Sequence, residues 1–130
     1  MINSGPVLII SSDDENRAML VASVLKSGMD PHSCANYGEA RGLLEKESFG
    51  VILCSDSLVD GDYFSVIERA KPIPVVVTSR LAQWNPYLAA LRAGAFDYIA
   101  CPPNPSEVER ILWSALDEYS RVHREARSLA

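Results

Sequence analysis

Four short stretches of this sequence set residues capable of chemistry directly after an apolar run. VLII, residues 7–10, leads into Ser11 and Ser12 and then Asp13, Asp14 and Glu15; VILC, residues 51–54, into Ser55 and Asp56. VVVT, residues 75–78, ends at Thr78 with Ser79 following, and DYIAC, residues 97–101, ends at Cys101 with Pro102 beyond. Carboxylates at the mouth of a buried strand are hard oxygen ligands for a divalent cation, and an Asp in such a place can act as a nucleophile. The question posed by these stretches is which of their residues face a common pocket, the acids or the hydroxyls beside them. The two histidines, His32 and His123, have no partners at catalytic or metal spacing and receive no role.

The elements that position these residues are legible from periodicity. The four runs are continuously apolar rather than alternating, which suits strands buried on both faces of a parallel sheet. HSCAN, residues 32–36, reads as a weaker strand between the first two. Helical patterns fill the intervals. Residues 14–27 place Met19, Leu20, Val24 and Leu25 at helical spacing, with Gly28 as the stop. Asn36 and Glu39 read as a cap and its partner, opening a helix to about Lys46. A short helix fits between Asp62 and Ala70. Asn85 and Pro86 read as cap and first turn of a helix ending at Gly94. Ser106 with Glu109 reads as a capping box, opening a long helix with Val108, Ile111, Leu112, Ala115 and Leu116 on its buried side. The order βαβαβαβαβα predicts a doubly wound parallel sheet, whose ligands bind beyond the carboxyl ends of the strands.

Bulk properties bound the function. At 130 residues and 48% hydrophobic content the chain is expected to form one domain, with a core over about 6–118 and an extended C-terminal helix. The balance of 12 basic against 17 acidic residues, a formal charge of −5, argues against binding a nucleic-acid backbone. Arg121, Arg124 and Arg127 read as a solvated helix end, where cations suit the dipole. Cys34, Cys54 and Cys101 lack C-x-x-C spacing, and no apolar run reaches membrane length, so a cytoplasmic setting without membrane contact is expected.

Four motifs in order, ENRAML, SLVDGD, PVVVTS and LRAGAFDYIACPPNPSEVERIL, resemble the receiver domain of two-component response regulators, from Val7 to about Leu116. In that CheY-like family two acids after the first strand and an Asp after the third bind Mg²⁺, and the Asp accepts a phosphoryl group from a sensor histidine kinase. A Thr or Ser after the fourth strand and a Lys after the fifth hold the phosphoryl oxygens, and the cations offset the charge that develops on the transferring group. Arg17, five residues after Ser12, and the junction of Ile10 with Ser11 register Ser11 and Ser12 on the acid pair. VDGDY, beginning four residues after Ser55, registers Ser55 on the phosphoacceptor, and DYIACP registers Cys101 on the Lys.

The resemblance therefore implies a flavodoxin-like (βα)5 fold with a five-stranded sheet of order 2-1-3-4-5, and an atypical receiver with a degenerate phosphorylation pocket of Ser11, Ser12, Ser55, Thr78 and Cys101. Such a module is expected to have no enzymatic activity, no cofactor and no phosphoryl acceptance, and to act through protein contacts. The alternative is a Mg²⁺-dependent receiver using the shifted Asp56 as phosphoacceptor, with Asp13 and Asp56 on the metal. Ser12 with Glu15 also fits S-x-x-E, which predicts Ser12 as the cap of the first helix, with Asp13, Asp14 and Glu15 decorating its first turn. Asp56, Asp60 and Asp62 read as turn residues around Gly61. Cys101 reads as a small buried residue in place of a long cation, with a redox pairing to Cys54 as the lesser alternative. Pro102 stands where the family has a cis peptide. Tyr98 resembles the family's switch aromatic, and reads equally as a partly buried strand tyrosine. With Tyr87, Leu91 and Trp113 it marks an interaction face on the fourth helix, fifth strand and fifth helix, suited to a homodimer or to a sensor kinase, an output domain or another signalling protein.

Overall fold

The computed structural model of the chain describes residues 6–79 and 84–129. Strands β1 (Val7–Ile10), β2 (Pro31–Cys34), β3 (Val51–Ser55), β4 (Val75–Ser79) and β5 (Asp97–Ala100) alternate with helices α1 (Asp14–Lys26), α2 (Tyr37–Lys46), α3 (Tyr63–Ala70), α4 (Trp84–Arg92) and α5 (Pro105–Leu129). All strand pairs are parallel, as the sequence pattern predicts, and the order is β2-β1-β3-β4-β5, as the receiver resemblance implies. Every residue of β1 and all of Val51–Cys54 are fully buried, because helices cover both faces of the central strands.

Alternation along the strands splits the core in two. Leu8, Ile10, Ile52, Cys54, Val75, Val77 and Tyr98 pack with Ala40 of α2, Val66 and Ile67 of α3 and Ala90 of α4. Val7, Ile9, Val51, Leu53, Val76 and Ile99 pack on the other face with Leu20 and Val24 of α1 and with Val108, Ile111, Leu112, Ala115 and Leu116 of α5. The expected α5 stripe is therefore the buried one. The expected α1 stripe is only half right, since Met19 is 37% and Leu25 59% exposed. The buried face of α1 is Asn16, Leu20, Ser23 and Val24, and Ser23 tolerates burial by donating its hydroxyl to the Met19 carbonyl at 3.0 Å.

Three helix starts differ from the sequence pattern. Asp13, not Ser12, caps α1, accepting the Asn16 amide at 2.9 Å. Asn104, not Ser106, opens α5, taking the Ser106 amide at 2.9 Å, with Pro105 in the first helical position. Helix α4 begins at Trp84, so Asn85 lies within its first turn. The Asn36 cap of α2 is as expected, with Glu39 reaching back to the Ala35 amide at 2.8 Å. Gly28 and Gly94 end α1 and α4 with φ of 82° and 107°, a region that L-residues with a Cβ rarely adopt.

Candidate functional site

The carboxyl ends of β1, β3, β4 and β5 form one rim, and the loops that leave it carry the residues singled out above. After β1, Ser11 turns inward and is fully buried. Its hydroxyl oxygen accepts from the Asn16 side-chain amide and from the Asp13 backbone amide, both at 3.3 Å. The Arg17 guanidinium donates to the Ser11 carbonyl at 2.8 Å and to Asp14 at 2.6 Å. Ser12 turns the other way, donating its hydroxyl to the Ala35 carbonyl at 2.6 Å and accepting the Val59 amide at 3.2 Å. Both serines thus sit at the end of β1 with their hydroxyls committed to protein groups, and the acids fall into the helix start.

The β3 and β4 ends are paired in register, Ser55 beside Thr78, so the next residues, Asp56 and Ser79, share the opposite side. The Asp56 amide donates to the Thr78 carbonyl at 2.8 Å, and the Ser79 hydroxyl donates to the Asp56 carboxylate at 2.7 Å. Thr78 is fully buried, and its hydroxyl has no hydrogen-bond partner among the described residues. The hydroxyl that reaches an acid here is therefore that of Ser79, which the sequence reading left out of the site. The strand alternation that separates Ser55 from Asp56 also separates Thr78 from Ser79, and that was the signal available.

At β5, Cys101, expected as a small buried residue, is half-buried, and its amide donates to the Ser79 carbonyl at 2.7 Å. The Cys101–Pro102 bond is cis. Strand β4 lies between Cys54 and Cys101, so the two are not on adjacent strand ends, and all three cysteines are thiols. Burial pushes the Cys34 thiol up to about 11, helped by the Glu39 charge, and pushes the more deeply buried Cys54 thiol higher still. Both are held in the protonated, unreactive form at neutral pH.

Beyond β3 the loop closes on itself through an antiparallel bridge between Leu58 and Gly61. Asp60 projects from it onto the start of α2, accepting the Tyr37 amide at 2.7 Å and the Gly38 amide at 2.9 Å. These two amides hold its carboxyl below the usual range. Asp60 is thus more than a turn residue, and Asp62 caps α3 by accepting the Ser65 amide at 3.1 Å. On the edge-strand side, Tyr98 is buried against the α2–α4 layer, its ring edge-on to Tyr87 at 5.8 Å. Trp113, on α5 in the opposite layer, is 42% exposed, and Tyr87 and Leu91 are half-buried. His32 lies at the surface between Asp30 and Glu47, and Arg121 pairs with Glu118. The side chains of His123, Arg124 and Arg127 lie outside the described residues.

This donor set does not fit a Mg²⁺ site built on an acid pair. The end of β1 presents the hydroxyls of Ser11 and Ser12, weak ligands for a hard cation, and the nearby carboxylates Asp13 and Asp56 are single acids on different loops, accepting the Asn16 amide and the Ser79 hydroxyl. Among the described residues no group of three or more His, Cys, Asp or Glu side chains gathers as metal ligands.

A doubly wound five-stranded parallel sheet of this order, with polar groups at the carboxyl ends of β1, β3, β4 and β5, defines the flavodoxin-like class. No family model matches the chain. It is 29% identical over 113 residues to the response regulator protein PilR of Pseudomonas aeruginosa, covering 84% of this chain and 25% of the relative. It is 30% identical over 125 residues to a putative NtrX-like response regulator of Rickettsia felis, covering 92% and 26%. The chain thus spans about a quarter of the length of the curated relatives it matches. The crystal structure of a CheY-like response regulator receiver domain protein from Methanospirillum hungatei superposes with a TM-score of 0.78 at 24% identity, covering 90% of this chain and 97% of that one. The chain is thus similar to response regulators over the part of them that it spans, and it has the receiver (CheY-like) fold. Among the described residues no helix is long and apolar enough to cross a membrane.

Proposed function

We propose that this chain is an atypical receiver module that signals through protein contacts without accepting a phosphoryl group. The observation that carries this reading is at the end of β1, where Ser12 spends its hydroxyl on Ala35 and Val59 and offers no charge to a cation. With no acid pair, no Lys after β5 and a serine at the phosphoacceptor position, nothing at the expected positions neutralises the charge that builds during phosphoryl transfer. A serine hydroxyl also lacks the intrinsic nucleophilicity of the Asp carboxylate unless a base activates it. Its partners are protein surfaces, a sensor kinase, an output domain or a second copy, met at the face bearing Tyr87, Leu91 and Trp113. Its setting is cytoplasmic, and it has neither catalytic activity nor a resident cofactor.

A second reading rests on Asp56, a partly exposed carboxylate at the rim that receives the Ser79 hydroxyl at 2.7 Å. In it Asp56 accepts the phosphoryl group, with Asp13 assisting a Mg²⁺ ion. Titration with Mg²⁺ and beryllofluoride, followed by tryptophan fluorescence and backbone amide shifts, separates the two. Silence supports the phosphate-independent module. Saturable shifts centred on Asp56 would support the second reading and sink the first.

A further inference from the structure

The geometry points to Ser12 and Asp60 as a two-point latch that holds the β3–α3 loop against the start of α2 in one fixed conformation. This deepens the proposed phosphate-independent reading, because a loop locked by the chain itself needs no phosphoryl group to order it.

The first point is the Ser12 hydroxyl, which ties three loops together. It donates to Ala35 in the β2–α2 loop at 2.6 Å and accepts from Val59 in the β3–α3 loop at 3.2 Å. A hydroxyl can donate and accept at once; a carboxylate at this position could accept from Val59 but would face the Ala35 carbonyl with no proton to share. The substitution that removes the acid is thus the one that makes the latch. The second point is Asp60, which satisfies the first two amides of α2 at 2.7 and 2.9 Å. Helix α2 therefore has its N-terminus completed by another loop's carboxylate, while its own Asn36 takes the Glu39 amide.

Packing closes the remaining freedom. A Cβ on Gly61 would lie 3.3 Å from Cβ of Tyr37, so the loop backbone is seated directly on the first residue of α2. Flanking the two points, Leu58 and Gly61 bridge, leaving Val59 80% exposed on the held loop, with Phe64 49% exposed at the start of α3. The latch presents these apolar groups in one constant arrangement.

Amide hydrogen exchange on the full chain tests this. In the native protein the Val59, Tyr37 and Gly38 amides exchange slowly. In Ser12→Ala the Val59 amide speeds up by about tenfold, and the Tyr37 and Gly38 amides speed up with it because the two points act together. Asp60→Ala, a change at an exposed position, gives the reciprocal result, and Ser12→Thr, which keeps the hydroxyl, restores protection. A native Val59 amide exchanging as fast as in Ser12→Ala, or each variant affecting only its own amides, would overturn the latch. Weighing the same native sample after Mg²⁺ and a small phosphodonor keeps the two ideas apart: a phosphoryl gain with the latch intact sinks the functional reading alone, and unaltered mass with an unprotected Val59 amide sinks the latch alone.

Discussion

The two halves of the strand-end rim differ in what their polar groups do. On the β1 and β2 side the Ser11, Ser12 and Asp60 side chains engage backbone groups of neighbouring loops or of the helix start, and act as structural ties. On the β4 and β5 side an acid meets a hydroxyl, Asp56 with Ser79, beside a buried Thr78 hydroxyl that has no partner among the described residues. Small hydroxyls at the two halves of one rim therefore meet opposite surroundings. On one side the hydroxyls are bound into the scaffold; on the other the Thr78 hydroxyl is buried with no partner among the described residues.

The largest expected effect comes from putting the charge back on the tied side. Ser12→Asp sets a carboxylate against the Ala35 carbonyl, and it should lower unfolding stability by about 2 to 3 kcal/mol, read from the denaturant midpoint at unchanged slope. A variant as stable as the native protein would mean that the Ser12 bonds are incidental. The untied side should respond in the other direction. Thr78→Val removes a buried hydroxyl without a protein partner at nearly constant volume, and a gain of about 1 kcal/mol is expected in the same measurement. A loss of similar size would show that the Thr78 hydroxyl is satisfied after all.

Smaller changes sharpen the contrast. Ser79→Ala removes one hydrogen bond to a partly exposed carboxylate and should cost about 0.5 to 1 kcal/mol. That is less than the loss at Ser12, where one hydroxyl serves two backbone groups. The smallest effect is a pH dependence at Asp60. Its folded pKa lies below the usual carboxylate value of 3.8 because it accepts the Tyr37 and Gly38 amides. The stability it contributes is complete above the unfolded value and is lost as pH falls through the lower folded one. Asp60→Asn should therefore give up this small contribution at neutral pH and flatten the acid limb below about pH 4, so that the native and variant stability curves converge in acid.

Much of this molecule was legible before its structure, for reasons that vary by element. The central strands declared themselves because burial on both faces demands unbroken apolar runs, and the parallel sheet followed from their alternation with helices, while the strand order came with the receiver resemblance. The α5 stripe was readable because five apolar residues keep one face. The α1 stripe was not, since polar Asn16 and Ser23 sit inward, each bonded within its own helix or to Ser11, while Met19 and Leu25 face outward. Ser12 fitted a local capping pattern but was taken by partners 23 and 47 residues away, which no local pattern reports. Asn104 was missed although Pro105 in the first turn marked it. At the site, register by apolar run and turn located the serines, but choosing between Thr78 and Ser79 required knowing which side of β4 faces Asp56.

Mass spectrometry of the intact protein after incubation with Mg²⁺ and a small phosphodonor tests the central claim most directly. The account predicts an unaltered mass under conditions that load a receiver with an intact acid pocket. A gain of one phosphoryl group, mapped to Asp56, would contradict it.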